Sequence, residues 1–258
     1  MIFYSLTTAK KGSTEQESDD KFACEKFEPS GEVKKDLRLK DIARFAVSDG
    51  ATESSFSNRW ADILVKDYIT NGYKSAGGVK KFINKLSKKW SLEIVNIDLP
   101  WYAQEKVKKG AFATLLGFQI EGIDFTKEQK WSAIAIGDSC LFQIRDNKVI
   151  TSFPIEKASE FTNTPPLLSS NMKNNSTILS SEISLDGSWK KDDLFFICTD
   201  AFAAWFLSEK ENNRFPWVEF YDNINYPDPN EKFKSWVMAK RESGVMKNDD
   251  TTVIFIKL

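Results

Sequence analysis

The sequence contains no histidine among its 258 residues. This absence excludes Ser-His-Asp and Cys-His catalysis, histidine-ligated zinc, and any imidazole that could act as a general acid or base. Any chemistry must therefore depend on carboxylates, hydroxyls, lysines or a metal ion held by oxygen atoms.

Cysteine is scarce, and the three residues Cys24, Cys140 and Cys198 lie far apart in apolar surroundings. An odd number without metal-ligand spacing predicts buried thiols rather than disulfides or a metal site. A charge surplus of one sign is also missing, since 36 basic residues nearly balance 37 acidic ones. A nucleic-acid-binding protein should carry a basic surplus, so we expect no nucleic-acid partner.

Long apolar runs are absent as well, and none reaches the ~18 residues of a membrane-spanning helix. The N-terminus lacks the basic-then-apolar order of a signal peptide, so we expect a cytoplasmic protein with no membrane partner. No repeat or linker divides the chain, and its 41% hydrophobic residues allow a substantial core. We expect one domain over residues 1–258, in which the Ser/Asn/Pro-rich residues 154–191 form a flap or surface excursion.

The order of predicted elements favours an α+β fold. Apolar patterning predicts an N-terminal group of strands, then two helices at 54–68 and 79–90, and then strands again after residue 110. A strand at 193–200 leads into a short helix, another helix is expected near 231–241, and a strand closes the chain. This order suits a sandwich of sheets and helices better than an alternating parallel sheet.

Aspartates occupy the ends of the apolar strands. The aspartates that directly precede or follow a predicted strand are Asp19, Asp20, Asp49, Asp138, Asp200, Asp249 and Asp250. A carboxylate beside a buried strand is costly unless it is paired or bound to a cation. Asp200 is the clearest case, because it separates two apolar segments and no lysine or arginine lies near it in sequence.

Two interpretations of these aspartates stay open on the pattern alone. Aspartate commonly caps helices and begins turns, and Asp49-Gly50 is an ordinary turn dipeptide. Alternatively, several aspartates that converge on one point would form an oxygen-ligand site suited to Mg²⁺ or Mn²⁺.

Six segments stand in order along nearly the whole chain: KKGSTEQESDDKFA, FAVSDGATESSFSNRWADILV, GAFATLLGF, WSAIAIGDSCLFQIRD, LFFICTDAFAAWFL and KNDDTTVIFI. Together they resemble the metal-dependent type 2C protein phosphatases. The resemblance is to a bacterial-looking branch with DGATESSF where better-known members have DG-x-GG. The resemblance implies a four-layer α-β-β-α sandwich with two central antiparallel sheets and a metal site at one edge.

The same resemblance implies roles for individual residues. Asp49 would bridge two metal ions, and Gly50 would contribute its backbone carbonyl. Asp200 and Asp249 would complete the coordination of the first metal.

The second and third metals would depend on other aspartates. Asp20 matches the N-terminal aspartate that supports the second metal, usually through water. Asp19 is the alternative, because Lys21 replaces the alanine that usually follows. Asp138 matches the aspartate that can recruit a third metal in bacterial members.

The implied activity is hydrolysis of phosphoserine and phosphothreonine in proteins by a water activated between two Mg²⁺ or Mn²⁺ ions. The implied partners are a phosphorylated protein substrate and a serine/threonine kinase whose action the phosphatase opposes. No phosphoenzyme is needed, so the missing histidine and nucleophilic cysteine are no obstacle.

Three departures from the family pattern bear on this expectation. Ala51 stands where many members have a general-acid histidine, so water or Glu53 would have to substitute. Glu15 stands where eukaryotic members hold phosphate with arginine, and Ala201 replaces a glycine. Two alternatives follow: a pseudophosphatase that binds phosphoproteins without turnover, and a hydrolase of small phosphate esters.

Overall fold

Two five-stranded antiparallel sheets form the centre of the computed structural model. The structure describes residues 1–24, 42–72, 78–95, 97, 100–123, 129–176, 178 and 183–258. The strands in chain order are β1 (Ile2–Thr8), β2 (Lys21–Cys24), β3 (Ile42–Ser48), β4 (Phe112–Ala113), β5 (Leu115–Glu121), β6 (Lys130–Ile136), β7 (Cys140–Arg145), β8 (Lys148–Phe153), β9 (Leu168–Ser169), β10 (Ile183–Ser188), β11 (Leu194–Cys198) and β12 (Thr251–Lys257).

The first sheet has the order β1-β12-β11-β7-β8, and the second has the order β10-β6-β5-β3-β2. Strands β4 and β9 form a separate two-stranded ribbon. The helices are α1 (Ser57–Asn71), α2 (Gly78–Val95), α3 (Trp101–Lys109), α4 (Asp200–Glu211), α5 (Pro216–Ile224) and α6 (Pro229–Glu242).

The central strands are almost wholly apolar because both of their faces are buried. In β12, Ile254 and Ile256 pack between the two sheets, whereas Val253 and Phe255 face the layer of helices α4 to α6. Strands covered on both faces lose the usual alternation of apolar and polar residues and read as continuous apolar runs. This is why TTVIFI resembles a core segment in the sequence.

Three apolar clusters separate four layers. One lies between the first sheet and helices α4 to α6, a second lies between the two sheets, and a third lies between the second sheet and helices α1 and α2. The predicted α+β architecture, a four-layer α-β-β-α sandwich with two antiparallel sheets, is therefore confirmed.

The boundaries of several elements differ from the predicted ones. The first helix begins at Ser57 and runs to Asn71, three residues later at each end than predicted. Helices α3 and α5 were not predicted; each has only nine residues, which is too short for a clear periodic pattern. Within 154–191, β10 pairs with β6 as an edge strand of the second sheet. No helix in the described part of the chain is long and apolar enough to cross a membrane.

Candidate metal centre

The register of both sheets brings the aspartate-bearing strand ends to one edge of the sandwich. In the second sheet, the start of β2 lies beside the end of β3, and the start of β5 lies beside the end of β6. In the first sheet, the end of β11 lies between the starts of β7 and β12. Thr199, which follows β11, donates its hydroxyl to Asp20 Oδ2, just before β2, at 2.8 Å. This hydrogen bond joins the edges of the two sheets.

Asp20 has a buried carboxylate that is only half satisfied. The residue is 5% exposed, and its Oδ1 atom is buried with no hydrogen-bond partner among the described residues. Burial raises the pKa of Asp20, and the nearby charges of Asp250 and Asp200 raise it further. An acceptor left without a donor costs ~1–3 kcal/mol, and more when it is charged. Asp20 Oδ1 is thus an oxygen that a cation would stabilise.

Asp19, the alternative to Asp20, is engaged in hydrogen bonds that hold the chain. Its carboxylate accepts from the Ser57 hydroxyl at 2.8 Å, and its backbone N–H donates to Asp250 Oδ2 at 2.7 Å. These bonds connect the residues before β2 to the start of α1 and to the residues before β12. Of the two aspartates, Asp20 is the one with a buried oxygen that has no hydrogen-bond partner among the described residues.

Asp49 and Gly50 are held in place by tight backbone contacts. The Asp49 N–H donates to Thr114 Oγ1 at 2.9 Å, and the Thr114 N–H donates to the Asp49 carbonyl at 2.8 Å. A Cβ atom on Gly50 would lie 2.9 Å from the Ser57 backbone carbon, closer than real Cβ contacts allow. Glycine at this position therefore lets α1 begin directly behind the strand end that carries Asp49.

Asp138 and Asp200 approach the same edge from adjacent turns. Burial raises the pKa of Asp138 to about 7, and the charge of Asp200 contributes to this increase. Asp200 is the first residue of α4, and its Oδ1 accepts from the Ala201 N–H at 2.7 Å. The N-terminus of a helix favours a carboxylate, so α4 partly offsets the charge of Asp200.

The two aspartates before β12 have different environments. Asp250 is buried and accepts from the backbone N–H groups of Lys10 at 2.8 Å and Asp19 at 2.7 Å. Asp249 is partly exposed, and Lys247 Nζ lies 2.6 Å from its Oδ2 atom and 3.2 Å from Asp200 Oδ2. The sequence shows no cation near Asp200, but the fold places one in direct contact with it.

The clearest sign that the aspartates converge is the pKa of Asp49. Burial raises this pKa well above its ordinary value, and the charges of four other aspartates then raise it further: Asp20, Asp200, Asp138 and Asp249. Like charges raise the pKa of a carboxyl group only when they lie close to it. Together with the register of the strands, these interactions indicate that five carboxylates from five separate strand ends lie at one edge of the sandwich.

Comparison with known proteins supports the fold. No protein-family model matches the chain, and no curated protein matches its sequence. Among solved structures, the photosystem II phosphatase PBCP superposes with a TM-score of 0.58 at 15% identity, covering 99% of this chain and 98% of that one. The serine/threonine phosphatase PstP/Ppp of Mycobacterium tuberculosis gives 0.57 at 12% identity, covering 100% and 99%.

The chain shares the fold of these solved phosphatases. A further structure with this fold, the catalytic domain of the serine/threonine phosphatase PstP in complex with two manganese ions, has a TM-score of 0.52 at 12% identity. The superposition covers 98% of this chain and 97% of that one. At this level of identity the likeness concerns the fold, and any activity must be argued from the residues of the site.

The donor set at this edge of the sandwich suits a hard divalent cation. All the converging groups are carboxylates, which Mg²⁺ and Mn²⁺ prefer, and Asp20 Oδ1 is a buried oxygen without a donor. In the part of the chain that the structure describes, no three acidic or cysteine side chains already form a group that could hold a metal ion. The aspartates therefore converge without forming a closed cage, and ligation would require their side chains to draw together.

The other residues singled out in the sequence lie around this cluster. Glu53 is exposed on the turn between β3 and α1, outside the group of interacting aspartates. Glu15 is exposed too, and its carboxylate lies 3.5 Å from Lys234 Nζ. Thr114 and Thr199 fix Asp49 and Asp20, and neither threonine is predicted from the sequence. Thr199 directly precedes Asp200, so its place beside a candidate ligand was the available signal.

Proposed function

We propose that this protein is a metal-dependent phosphatase that hydrolyses phosphoserine and phosphothreonine in other proteins. The observation that carries this proposal is the convergence of five aspartates, on a fold shared with serine/threonine phosphatases, around a buried carboxylate oxygen that lacks a partner. Such an arrangement destabilises the metal-free protein and is best explained by a cation.

The residues that would hold Mg²⁺ or Mn²⁺ are those identified by the resemblance. Asp49 and the Gly50 carbonyl would contact two ions, Asp200 and Asp249 would complete the first, and Asp20 would support the second. Asp138 would support a third. When bound, these cations supply positive charge that stabilises the transferred phosphoryl group and favours attack by water.

The cysteines of this chain are unsuited to act as a phosphate-accepting nucleophile. Cys140 and Cys198 are fully buried, and burial raises the pKa of both thiols well above the ordinary value. Burial likewise raises the pKa of Cys24 to about 12. Because the thiolate is the reactive form, these groups are inert near neutral pH. A cysteinyl-phosphate intermediate is therefore unsuited to this chain, and direct attack of water on phosphorus is the reaction we propose.

A leaving serine or threonine oxygen needs a proton, and Ala51 cannot supply one. Glu53 lies two residues further on, on an exposed turn that incoming substrate could contact. If Glu53 is the acid, Glu53→Gln should reduce turnover of a phosphopeptide more than turnover of an aryl phosphate, whose leaving group needs no proton. Equal losses on both substrates would remove Glu53 from this role.

A pseudophosphatase is the second candidate, and one observation favours it. Glu15, at the position of the phosphate-binding arginine, places a negative charge where substrate phosphate would need a positive one. The five converging aspartates favour the enzyme, because a module that only binds phosphate would gain nothing from such a concentration of negative charge.

The test is hydrolysis of an aryl phosphate and a phosphothreonine peptide, with Mn²⁺ or Mg²⁺ titrated and EDTA as the block. Asp49→Asn is the site variant, and Asp186→Asn, which changes an exposed aspartate on β10, is the matched control. We expect turnover that depends on metal, is lost in Asp49→Asn and is kept in Asp186→Asn. Phosphopeptide binding without turnover would establish the pseudophosphatase, and turnover of aryl phosphate alone would indicate a small-ester hydrolase.

A further inference from the structure

Lys247 places its positive charge beside two candidate metal ligands. It lies in the loop between α6 and β12, and its ammonium group contacts Asp249 Oδ2 at 2.6 Å and Asp200 Oδ2 at 3.2 Å. Asp200 and Asp249 are the two aspartates that would complete one metal ion in the proposed function. A single lysine therefore joins two candidate ligands of the same metal.

We propose that Lys247 is a built-in competitor of the metal, a tethered ammonium that neutralises Asp200 and Asp249 in the metal-free protein and must be displaced when a divalent cation binds. This inference rests on the proposed metal centre. Two of the five converging aspartates thus contact the lysine in the metal-free protein.

The ammonium group of Lys247 can move away from Asp200 and Asp249 without disturbing the core. Its side chain is 60% exposed, so its ion pairs are weakened by water and its four-carbon stem can swing into solvent without opening the core. A divalent cation carries twice the charge and can contact both carboxylates at once. Displacement therefore requires no change in the sheets, only a rotamer change in a surface loop.

Two consequences follow for a protein without Lys247. The metal-free protein should be less stable, because Asp200 and Asp249 lose the charge that offsets their repulsion. The same protein should bind metal more tightly, because nothing has to be displaced. These effects have opposite signs, and a purely structural role of Lys247 would produce only the first.

The experiment compares wild type with Lys247→Met, which keeps the length and apolar stem of the side chain but removes its charge. Lys247→Gln, also neutral, is measured beside it to exclude an effect of methionine itself. Lys10→Met is the matched control: Lys10 acts electrostatically on Asp19, yet its ammonium contacts Thr52, 3.3 Å away, rather than Asp200 or Asp249. Isothermal titration with Mn²⁺ gives the dissociation constant, and thermal unfolding in EDTA gives the metal-free Tm.

Both Lys247 variants should bind Mn²⁺ about three- to tenfold more tightly than wild type, as expected for the removal of two ion pairs made by an exposed lysine. Both should also have a lower metal-free Tm, and the difference should shrink at saturating Mn²⁺. Lys10→Met should change affinity by less than about twofold, since charge alone acts weakly through water.

Unchanged or weaker Mn²⁺ binding by the Lys247 variants would overturn the inference while leaving the proposed phosphatase intact. An equal gain in Mn²⁺ affinity for Lys10→Met would also overturn it, because the loss of any nearby positive charge would then be enough to explain the effect. If wild type and all variants fail to bind Mn²⁺, the inference falls together with the metal centre. Because titration measures binding without turnover, a catalytically inactive protein that binds Mn²⁺ still tests Lys247.

Discussion

Replacement of Asp138 by asparagine should stabilise the metal-free protein at about pH 8 and destabilise it slightly at about pH 4. Burial, followed by the charge of Asp200, raises the pKa of Asp138 from an ordinary value of 3.8 to about 7. A carboxyl group with a raised pKa binds its proton more tightly in the folded chain. This tighter proton binding stabilises the folded state fully when the pH is below the pKa of Asp138 in the unfolded chain. The stabilisation is lost as the pH rises through the pKa of Asp138 in the folded chain.

The magnitude follows from the size of the pKa change. An increase from 3.8 to about 7, at ~1.4 kcal/mol per unit, corresponds to ~4 kcal/mol of lost stability above neutral pH. Asparagine has nearly the same shape but no charge, so it avoids this cost at every pH. Its buried amide must still find hydrogen-bond partners, which costs ~1–2 kcal/mol of stability. We therefore expect a net gain of ~2–3 kcal/mol at about pH 8.

The measurement is urea-induced unfolding in EDTA at about pH 4 and about pH 8 for wild type, Asp138→Asn and Asp186→Asn. The exposed Asp186 serves as the control for removal of one negative charge. A gain for Asp138→Asn that appears only at the higher pH supports the reasoning. No gain at about pH 8, or an equal gain at both pH values, would refute it.

Four other variants or conditions test the site and the fold. Millimolar Mn²⁺ should raise the Tm of wild type but not of Asp49→Asn, because a ligand that binds only the folded state adds stability; an indifferent wild-type Tm would argue against a metal site. Asp49→Asn should keep its circular dichroism spectrum yet retain less than a tenth of wild-type turnover, a loss of more than ~1.4 kcal/mol in barrier terms. Gly50→Ala should lower the free energy of unfolding by ~1–3 kcal/mol, since its Cβ would lie 2.9 Å from Ser57; a neutral effect in urea unfolding would contradict the close approach. Asp193→Asn should destabilise by ~3 kcal/mol at neutral pH and less at about pH 3. Burial alone would raise the pKa of Asp193, but the hydrogen bonds of Arg145 hold it below its ordinary value; a loss that does not depend on pH would refute this.

The fold class could be predicted because its main signals are local. Apolar runs bounded by polar turns identify strands, and the 3.6-residue spacing in Ser57–Asn71 identifies a helix, whatever the rest of the chain does. The short helices α3 and α5 were missed because nine residues complete too few turns to show a period. The pairing order of the strands could not be predicted from local patterns, because pairing joins residues that are distant in the chain.

The candidate site divides in a similar way. The positions of the aspartates at strand ends were visible in the sequence, and so was their possible use as oxygen ligands for a cation. The choice between Asp19 and Asp20 was not, because it depends on which carboxylate oxygen lacks a partner after the sheets have met.

The sequence by itself determined what chemistry is excluded and which residues could carry charge. The chain has no histidine, and its aspartates at the ends of buried strands could serve either as turn and cap residues or as ligands of a hard cation. Only the tertiary structure decided which charges meet. Lys247 lies 47 residues from Asp200, yet its ammonium group is 3.2 Å from that carboxylate. Electrostatic interactions depend on distance in space, and this distance is set by the antiparallel register of β11 and β12, not by separation along the chain.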